Sequence, residues 1–212
     1  MLRRILRWLG IAALLVSYPL LAHYTSESMH NGNLGALVAI APVVLIALVF
    51  AWRSPRRPIM LSALGLLCVV LWAEWSALTQ HFGLVYWLQH LGMQLILCMT
   101  FARTLIAGRQ PLCTYFAEVI HAPLTSQQEI YTRQVTIAWA LFFAAMALVS
   151  TALFFLMPLS TWSVFANFMT LPLVALMFIA EYGVRRRVLP NMQHVPILDA
   201  VRAFRNTAAR QR

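Results

Sequence analysis

Three side chains in this sequence have reactive groups and a position that suits chemistry: Glu74, His90 and Cys113. Glu74 and His90 lie in successive apolar stretches, at depths that agree to about one helical turn. A carboxylate and an imidazole in contact would share a proton, which suits acid–base chemistry or proton transfer. The alternatives are a buried polar contact that fixes helix packing, or a Glu74 that reaches the interface beside Trp72 and Trp75.

Cys113 follows Arg109 and Pro111 at the start of a short segment with helical periodicity. A helix N-terminus and a nearby guanidinium lower the pKa of a thiol, so we expect a lowered pKa at this position. Such a thiol would suit acyl carriage or S-acylation. The alternative is an inert cysteine at the membrane interface.

A polar stripe marks the stretch that contains His90, because Gln94 and Cys98 follow at intervals of four residues and Gln89 is adjacent. Such a stripe must face protein or water, and interhelical hydrogen bonding is its expected role. The stretch has no second histidine and no carboxylate at ligand spacing, so we expect no metal site. No motif for a cofactor or for nucleophilic catalysis is present, and catalytic residues stay unknown beyond the three candidates.

The elements that must position these side chains are apolar helices. The chain is 61% hydrophobic and 10% charged, against about 45–50% apolar and about 25% charged in soluble domains. Its six apolar stretches predict an all-α membrane protein, a six-transmembrane-helix bundle over residues 1–182 with a cytoplasmic arginine-rich tail over residues 183–212. The predicted spans are residues 5–22, 34–52, 59–78, 84–102, 134–157 and 162–182.

All sixteen basic residues are arginines, and the formal net charge is +10. Each arginine lies at a terminus, in an even-numbered loop or, for Arg7, in the first turn of the first span of this map. Because basic residues accumulate on the cytoplasmic side, we expect a multi-pass protein of the bacterial inner membrane with both termini cytoplasmic. The first stretch is similar to a signal peptide, but Leu20 stands where cleavage after Ala22 needs a small residue, so we expect an uncleaved helix. The dispersed arginines exclude nucleic acid as a partner.

Two segments outside the spans have amphipathic periodicity. After Pro111, apolar residues recur at helical spacing up to Ile120, which predicts a cytoplasmic interfacial helix in loop 4. The string from Ser126 to Glu129 has capping-box spacing and predicts that the fifth helix begins in the cytoplasm. A C-terminal amphipathic helix is predicted around residues 197–204, either on the membrane or packed on the bundle.

Membrane lipids are the expected partners of the arginine-rich inner surface. Glu181 stands four residues before Arg185, a favourable spacing for an ion pair. Asn167 and Thr170, in the sixth span, are expected to bond across helices. Contacts to an anionic head group or an acidic carrier protein are expected at Arg103, Arg109, Arg185, Arg186 and Arg187.

Seven strings together carry a resemblance to a known family. They are Ala102–Leu105, Gly108–Ala117, Tyr131–Trp139, Leu171–Leu173, Glu181–Tyr182, Arg185–Arg187 and Asp199–Phe204. Through them the chain resembles small bacterial inner-membrane proteins associated with aryl polyene (xanthomonadin-type) pigment biosynthesis loci, some of which are labelled "ketosynthase". The resemblance covers mainly residues 102–205 and implies acyl carrier protein or other pigment-biosynthesis proteins as partners. It supplies no catalytic residues, and Cys113 lacks the histidine and asparagine partners of a condensing enzyme.

We therefore expect an accessory protein that helps to assemble, anchor or translocate an aryl polyene or related lipid-linked product. The bundle, or a groove between the second and sixth spans that are kinked at Pro42 and Pro172, would receive the apolar tail. Two alternatives stay open. One is a membrane-embedded acyl- or lipid-modifying enzyme that uses Glu74 and His90, or Cys113. The other is a proton-coupled transporter that uses the Glu74/His90 pair.

Overall fold

The computed structural model describes residues 17–26, 32–121 and 123–189, and these residues form helices and turns without a β-strand. The all-α prediction is confirmed for this part of the chain. The helices are α1 (residues 17–26), α2 (Gly32–Arg53), α3 (Arg57–Ala73), α4 (Trp75–Gln80), α5 (Phe82–Ala102), α6 (Leu112–His121), α7 (Ser126–Leu156), α8 (Leu159–Val164) and α9 (Thr170–Val188).

Among the described residues, four helical segments are long and apolar enough to cross a membrane, since a span needs about 20 apolar residues. They indicate a membrane protein. The segments are Gly32–Arg53, Phe82–Leu105, Ser126–Leu156 and Leu159–Val188. They match the second, fourth, fifth and sixth predicted spans. Helix α9 continues to Val188, beyond the predicted end of the bundle at residue 182.

The predicted third span, residues 59–78, is interrupted at Glu74. This residue leaves helical geometry, with φ −94° and ψ 20°, and separates α3 from α4. Helix α3 alone has 17 residues, which at 1.5 Å per residue is about 26 Å, short of the roughly 30 Å hydrocarbon core. The Trp75 indole, which donates to Asn33 Oδ1 at 3.0 Å, ties α4 to the start of α2.

Two predicted helices lie wholly or mostly outside the described residues. Of the first span, only residues 17–22 are described, and they are helical. The amphipathic helix predicted around residues 197–204 lies outside the described part.

A short turn leads into α6, which forms where the periodicity predicts a helix. Gly108 has φ 82°, a left-handed conformation that glycine adopts without steric cost.

Helix α7 begins at Ser126, but its capping box lies one residue earlier than predicted. The Thr125 amide donates to Gln128 Oε1 at 2.9 Å, and the Gln128 amide donates to Thr125 Oγ1 at 3.4 Å.

The helical geometry of the last apolar segment changes just before α9. Phe165–Met169 forms a π-helical turn, and Pro172 follows. Proline lacks an amide hydrogen and its ring clashes with the carbonyl four residues earlier, so a wider turn at this point relieves that clash. The Thr170 hydroxyl donates to the Phe165 carbonyl at 3.2 Å and supplies a bond within the wide turn.

The described residues belong to two compact units. The first unit contains the described residues up to Leu91 together with Val149–Leu171. Its buried core includes Tyr86 and Trp162, and a Cβ on Gly35 would lie 2.8 Å from the Phe82 ring, so only glycine allows this approach of α2.

The second unit contains the described residues of Gly92–Leu148 together with those from Pro172 to Leu189. Its interior is aromatic, because the Trp139 ring contacts Phe101, Phe143 and Phe178, with the Phe178 centroid at 4.6 Å.

Candidate functional site

The first unit contains a hydrogen-bonded group that we call the His90 cluster, made of His90, Ser150, Trp162 and Thr170. His90 Nδ1 lies 2.9 Å from Ser150 Oγ, and its Nε2 lies 3.1 Å from Thr170 Oγ1. The Trp162 indole donates to Ser150 Oγ at 3.0 Å. The rings of Trp162 and Phe165 pack edge-on against the imidazole. The cluster therefore joins α5, α7 and the segment from α8 to α9.

The donors in this cluster determine where the His90 proton lies. Thr170 gives its hydroxyl hydrogen to the Phe165 carbonyl, so it accepts from His90 Nε2. A neutral imidazole with its proton on Nε2 leaves Nδ1 as an acceptor, and the Ser150 hydroxyl supplies the donor. Each of these bonds is satisfied with an uncharged ring.

The structure does not bring Glu74 to His90. Glu74 is exposed at the break between α3 and α4, whereas the His90 ring nitrogens face hydroxyl groups. This placement gives no support to a shared proton between the two side chains.

Ser150 and His90 have the separation of a nucleophile and its base, a pairing that the sequence did not reveal. Ser150 is fully buried at 0% exposure, and Trp162 covers it at 2% exposure. A substrate cannot reach this hydroxyl in the structure, so we assign the cluster to helix packing.

Three other polar residues of the predicted spans also contact protein, namely Gln89, Gln94 and Asn167. Gln89 Nε2 donates to the Ala39 carbonyl of α2 at 2.5 Å, and Gln94 is 3% exposed. Asn167 Nδ2 donates to the Ser163 carbonyl and hydroxyl, each at 3.0 Å, within its own helical segment.

The second unit contains a partly open pocket of about 240 Å³, which we call the α6 pocket. Helix α6 forms one wall, and α7 and α9 form the others. The apolar wall consists of Phe116, Ala117, Ile120, Val135, Trp139 and Phe178, with Leu189 just after α9. The remaining wall is polar and consists of Cys113, Tyr131, Thr132, Glu181 and Arg185.

An ion pair lies in the polar wall of the α6 pocket. Arg185 Nη2 donates to Glu181 Oε2 at 2.6 Å, and Arg185 Nε donates to Glu181 Oε1 at 3.0 Å. The Tyr131 hydroxyl lies 3.3 Å from Glu181 Oε1 and 3.2 Å from the Glu181 carbonyl. Glu181 and Arg185 therefore form the pair that their spacing predicts, and it is bidentate.

Cys113 lies in the wall of the pocket, but its thiol differs from the expected one. Burial raises the pKa of Cys113, and the charge of Glu181 adds to this effect. The Thr136 side chain and the charge of Arg185 act in the opposite direction. The prediction of a lowered pKa is wrong, because burial of the thiol outweighs the opposing effects of Thr136 and Arg185.

The predicted contact arginines fall into two groups. Arg103, Arg109, Arg186 and Arg187 are exposed. Arg185 is half-buried and is bound by Glu181, so its guanidinium is already partnered.

No protein-family model matches this chain, and neither the curated proteins nor the solved structures contain a match. We therefore compare the two candidate sites, the His90 cluster and the α6 pocket, by their geometry alone. The His90 cluster is closed and its bonds are satisfied, whereas the α6 pocket has free volume, an apolar wall and a polar wall.

Proposed function

We propose that this chain is an integral inner-membrane accessory protein that helps to assemble, anchor or translocate an aryl polyene or related lipid-linked product. In this proposal it crosses the membrane six times with both termini in the cytoplasm. The four membrane-length helices and the arginine-free odd-numbered loops support that topology. The short helix α3 would complete its crossing together with α4.

The observation that carries the proposal is the α6 pocket. Ligand sites are concave and mainly apolar, with a few polar groups that fix orientation. A dry cavity of about 150 Å³ is large enough for benzene. The α6 pocket, at about 240 Å³, offers room for a ring or for a segment of an apolar chain.

The resemblance strings supply a second support. Nine of the twelve pocket-lining residues lie in those strings. They come from three separate stretches of the sequence, before and after the loop that joins α6 to α7. Strings that carry a resemblance to pigment-locus proteins thus meet at one cavity.

The exposed arginines would act at the mouth of this region on the cytoplasmic side. Arg186 and Arg187 follow the pocket residues along α9, and Arg103 and Arg109 precede α6. Such charges attract an anionic lipid surface or an acidic carrier protein. Helix α6 leaves Tyr115 and Phe116 about half exposed, which suits an interfacial helix.

The test is to fill the pocket and measure the product. Ala117→Phe places a ring in the cavity, and Ala138→Phe adds the same ring at an exposed position of α7. In the native strain we expect Ala117→Phe to reduce the polyene or lipid product in the membrane several-fold at normal protein level. We expect Ala138→Phe to leave it unchanged.

Mass spectrometry of the protein purified in mild detergent should find the product bound to the parent and to Ala138→Phe, but not to Ala117→Phe. Normal product content in a strain with well-folded Ala117→Phe would contradict the proposal.

A further inference from the structure

The two charged residues that line the α6 pocket neutralise each other. Of the described residues that line it, Glu181 and Arg185 are the ones with a full charge, and they bind each other through two parallel bonds. The Glu181 side chain is 11% exposed, so its carboxylate is largely withdrawn from water. The polar wall therefore presents dipoles and hydroxyls with a net charge of zero.

An anionic ligand would meet a specific obstacle at this wall. Its charged group would meet the Glu181 carboxylate beside the Arg185 guanidinium, so the attraction of one is offset by the repulsion of the other. It would gain the full attraction of Arg185 only by displacing Glu181. A buried carboxylate that loses its partner is strongly destabilised. The Tyr131 hydroxyl does not compensate, since it already bonds to Glu181.

An uncharged ligand meets no such obstacle. Its chain would contact Trp139, Phe116 and Phe178, and an ester oxygen would need only a weak donor or none. A charged group loses far more hydration free energy on burial than an ester does. A pocket with this lining therefore favours an uncharged ligand over an anion of the same size.

We propose that the α6 pocket binds an acyl chain whose carboxyl group is esterified and rejects the ionised free acid. This inference rests on the function proposed above and specifies its ligand. Free carboxylic acids are ionised at neutral pH, because their ordinary pKa is about 4. An acyl-transfer reaction must therefore supply the ligand, and hydrolysis of its ester would release it.

The experiment uses Cys113 as a reporter inside the pocket. The full chain with Cys68→Ala and Cys98→Ala is purified in mild detergent, and the alkylation of Cys113 by N-ethylmaleimide is timed. Three probes with ten-carbon chains are compared, namely methyl decanoate, decanol and the permanent anion decanesulfonate. We expect the two uncharged probes to slow alkylation several-fold and decanesulfonate to leave the rate unchanged.

A variant then tests the ion pair as the source of the selectivity. Glu181→Gln releases Arg185, and we expect decanesulfonate to protect Cys113 in this variant. Glu129→Gln makes the same charge change at an exposed position of α7 and should behave as the parent. The double variant Glu181→Gln with Arg185→Gln restores neutrality and should again be protected by the uncharged probes alone.

The outcomes separate this inference from the proposed function. Equal protection by all three probes in the parent would overturn charge selectivity and leave lipid handling standing. Protection by none of them would overturn both. A folded Glu181→Gln variant that decanesulfonate does not protect would overturn the role of the ion pair. The comparison of the three probes on the parent protein tests charge selectivity even where the variant does not fold.

Discussion

The His90 cluster and the α6 pocket each place polar groups among aromatic rings, yet they use them differently. In the His90 cluster each polar group bonds to a neutral neighbour, and Ser150 and Trp162 are inaccessible. In the α6 pocket, charged groups pair beside free volume. Polar residues inside apolar helices thus fix packing where their partners fill the space. Where a cavity remains, we propose that they determine which ligand binds.

Aromatic packing differs in the same way. In the first unit, the Trp87 ring stacks on Phe154 at 5.3 Å, and the Phe154 ring lies edge-on to Trp162 at 5.6 Å. In the second unit, one side of the group around Trp139 faces the α6 pocket. A truncation should therefore cost most stability in the first unit and most ligand binding in the second.

The largest stability effect is expected for Trp162→Ala. This side chain is 2% exposed and donates to Ser150, so its removal leaves a cavity and takes one of the two hydrogen bonds of the Ser150 hydroxyl. We expect a loss of about 3–5 kcal/mol in the free energy of unfolding. A titration with denaturing detergent measures it. Trp72→Ala, at 81% exposure, is the control and should change little.

A smaller effect is expected for His90→Phe, which keeps the ring and removes both nitrogens. Bonds between membrane helices contribute about 0.6 kcal/mol on average and about 1.7 kcal/mol at most. The loss of two such bonds should therefore cost about 1–3 kcal/mol of unfolding free energy. The control is His81→Phe, since His81 is exposed.

The same His90 variant separates packing from proton transfer. We expect membrane product content to follow protein level in this variant. A stable His90→Phe protein with no product, or with a lost pH-dependent flux, would contradict the packing assignment.

Hydropathy predicted all four membrane-length helical segments. A run of about 20 apolar residues, which a membrane span requires, is visible in the local sequence alone. It missed the break at Glu74, which coincides with a contact of Trp75 with Asn33, 42 residues away. The capping box shifted by one residue because Thr125 and Ser126 both have glutamine or glutamate three residues later.

The candidate site was less predictable than the helices. Glu181 and Arg185 are close in sequence, and their pairing followed from helical spacing. The partners of His90 lie 60 and 80 residues away, and hydroxyls in apolar stretches give no signal of pairing. The pocket arises where three helices fail to fill space, and no short pattern encodes such a gap.

A third prediction concerns the stability of the second unit. Glu181→Gln should change the free energy of unfolding by less than about 1 kcal/mol, because Arg185 is 41% exposed and partly exposed ion pairs are weak. Tyr131 also keeps its bond to the Glu181 carbonyl. A titration with denaturing detergent compares this variant with Glu129→Gln. A loss as large as that of His90→Phe would remove the distinction between the two regions.

The smallest effect is a shift in the pH dependence of Cys113 alkylation. The thiolate is the reactive form, and burial raises the pKa of Cys113. The alkylation rate should therefore rise at a higher pH in the folded protein than in the unfolded chain, measured with Cys113 as the sole cysteine. Thr136→Val removes a side-chain hydroxyl that lowers this pKa and should move the rise further upward. A folded-state profile at or below the unfolded one would show that the pocket wall does not desolvate the thiol.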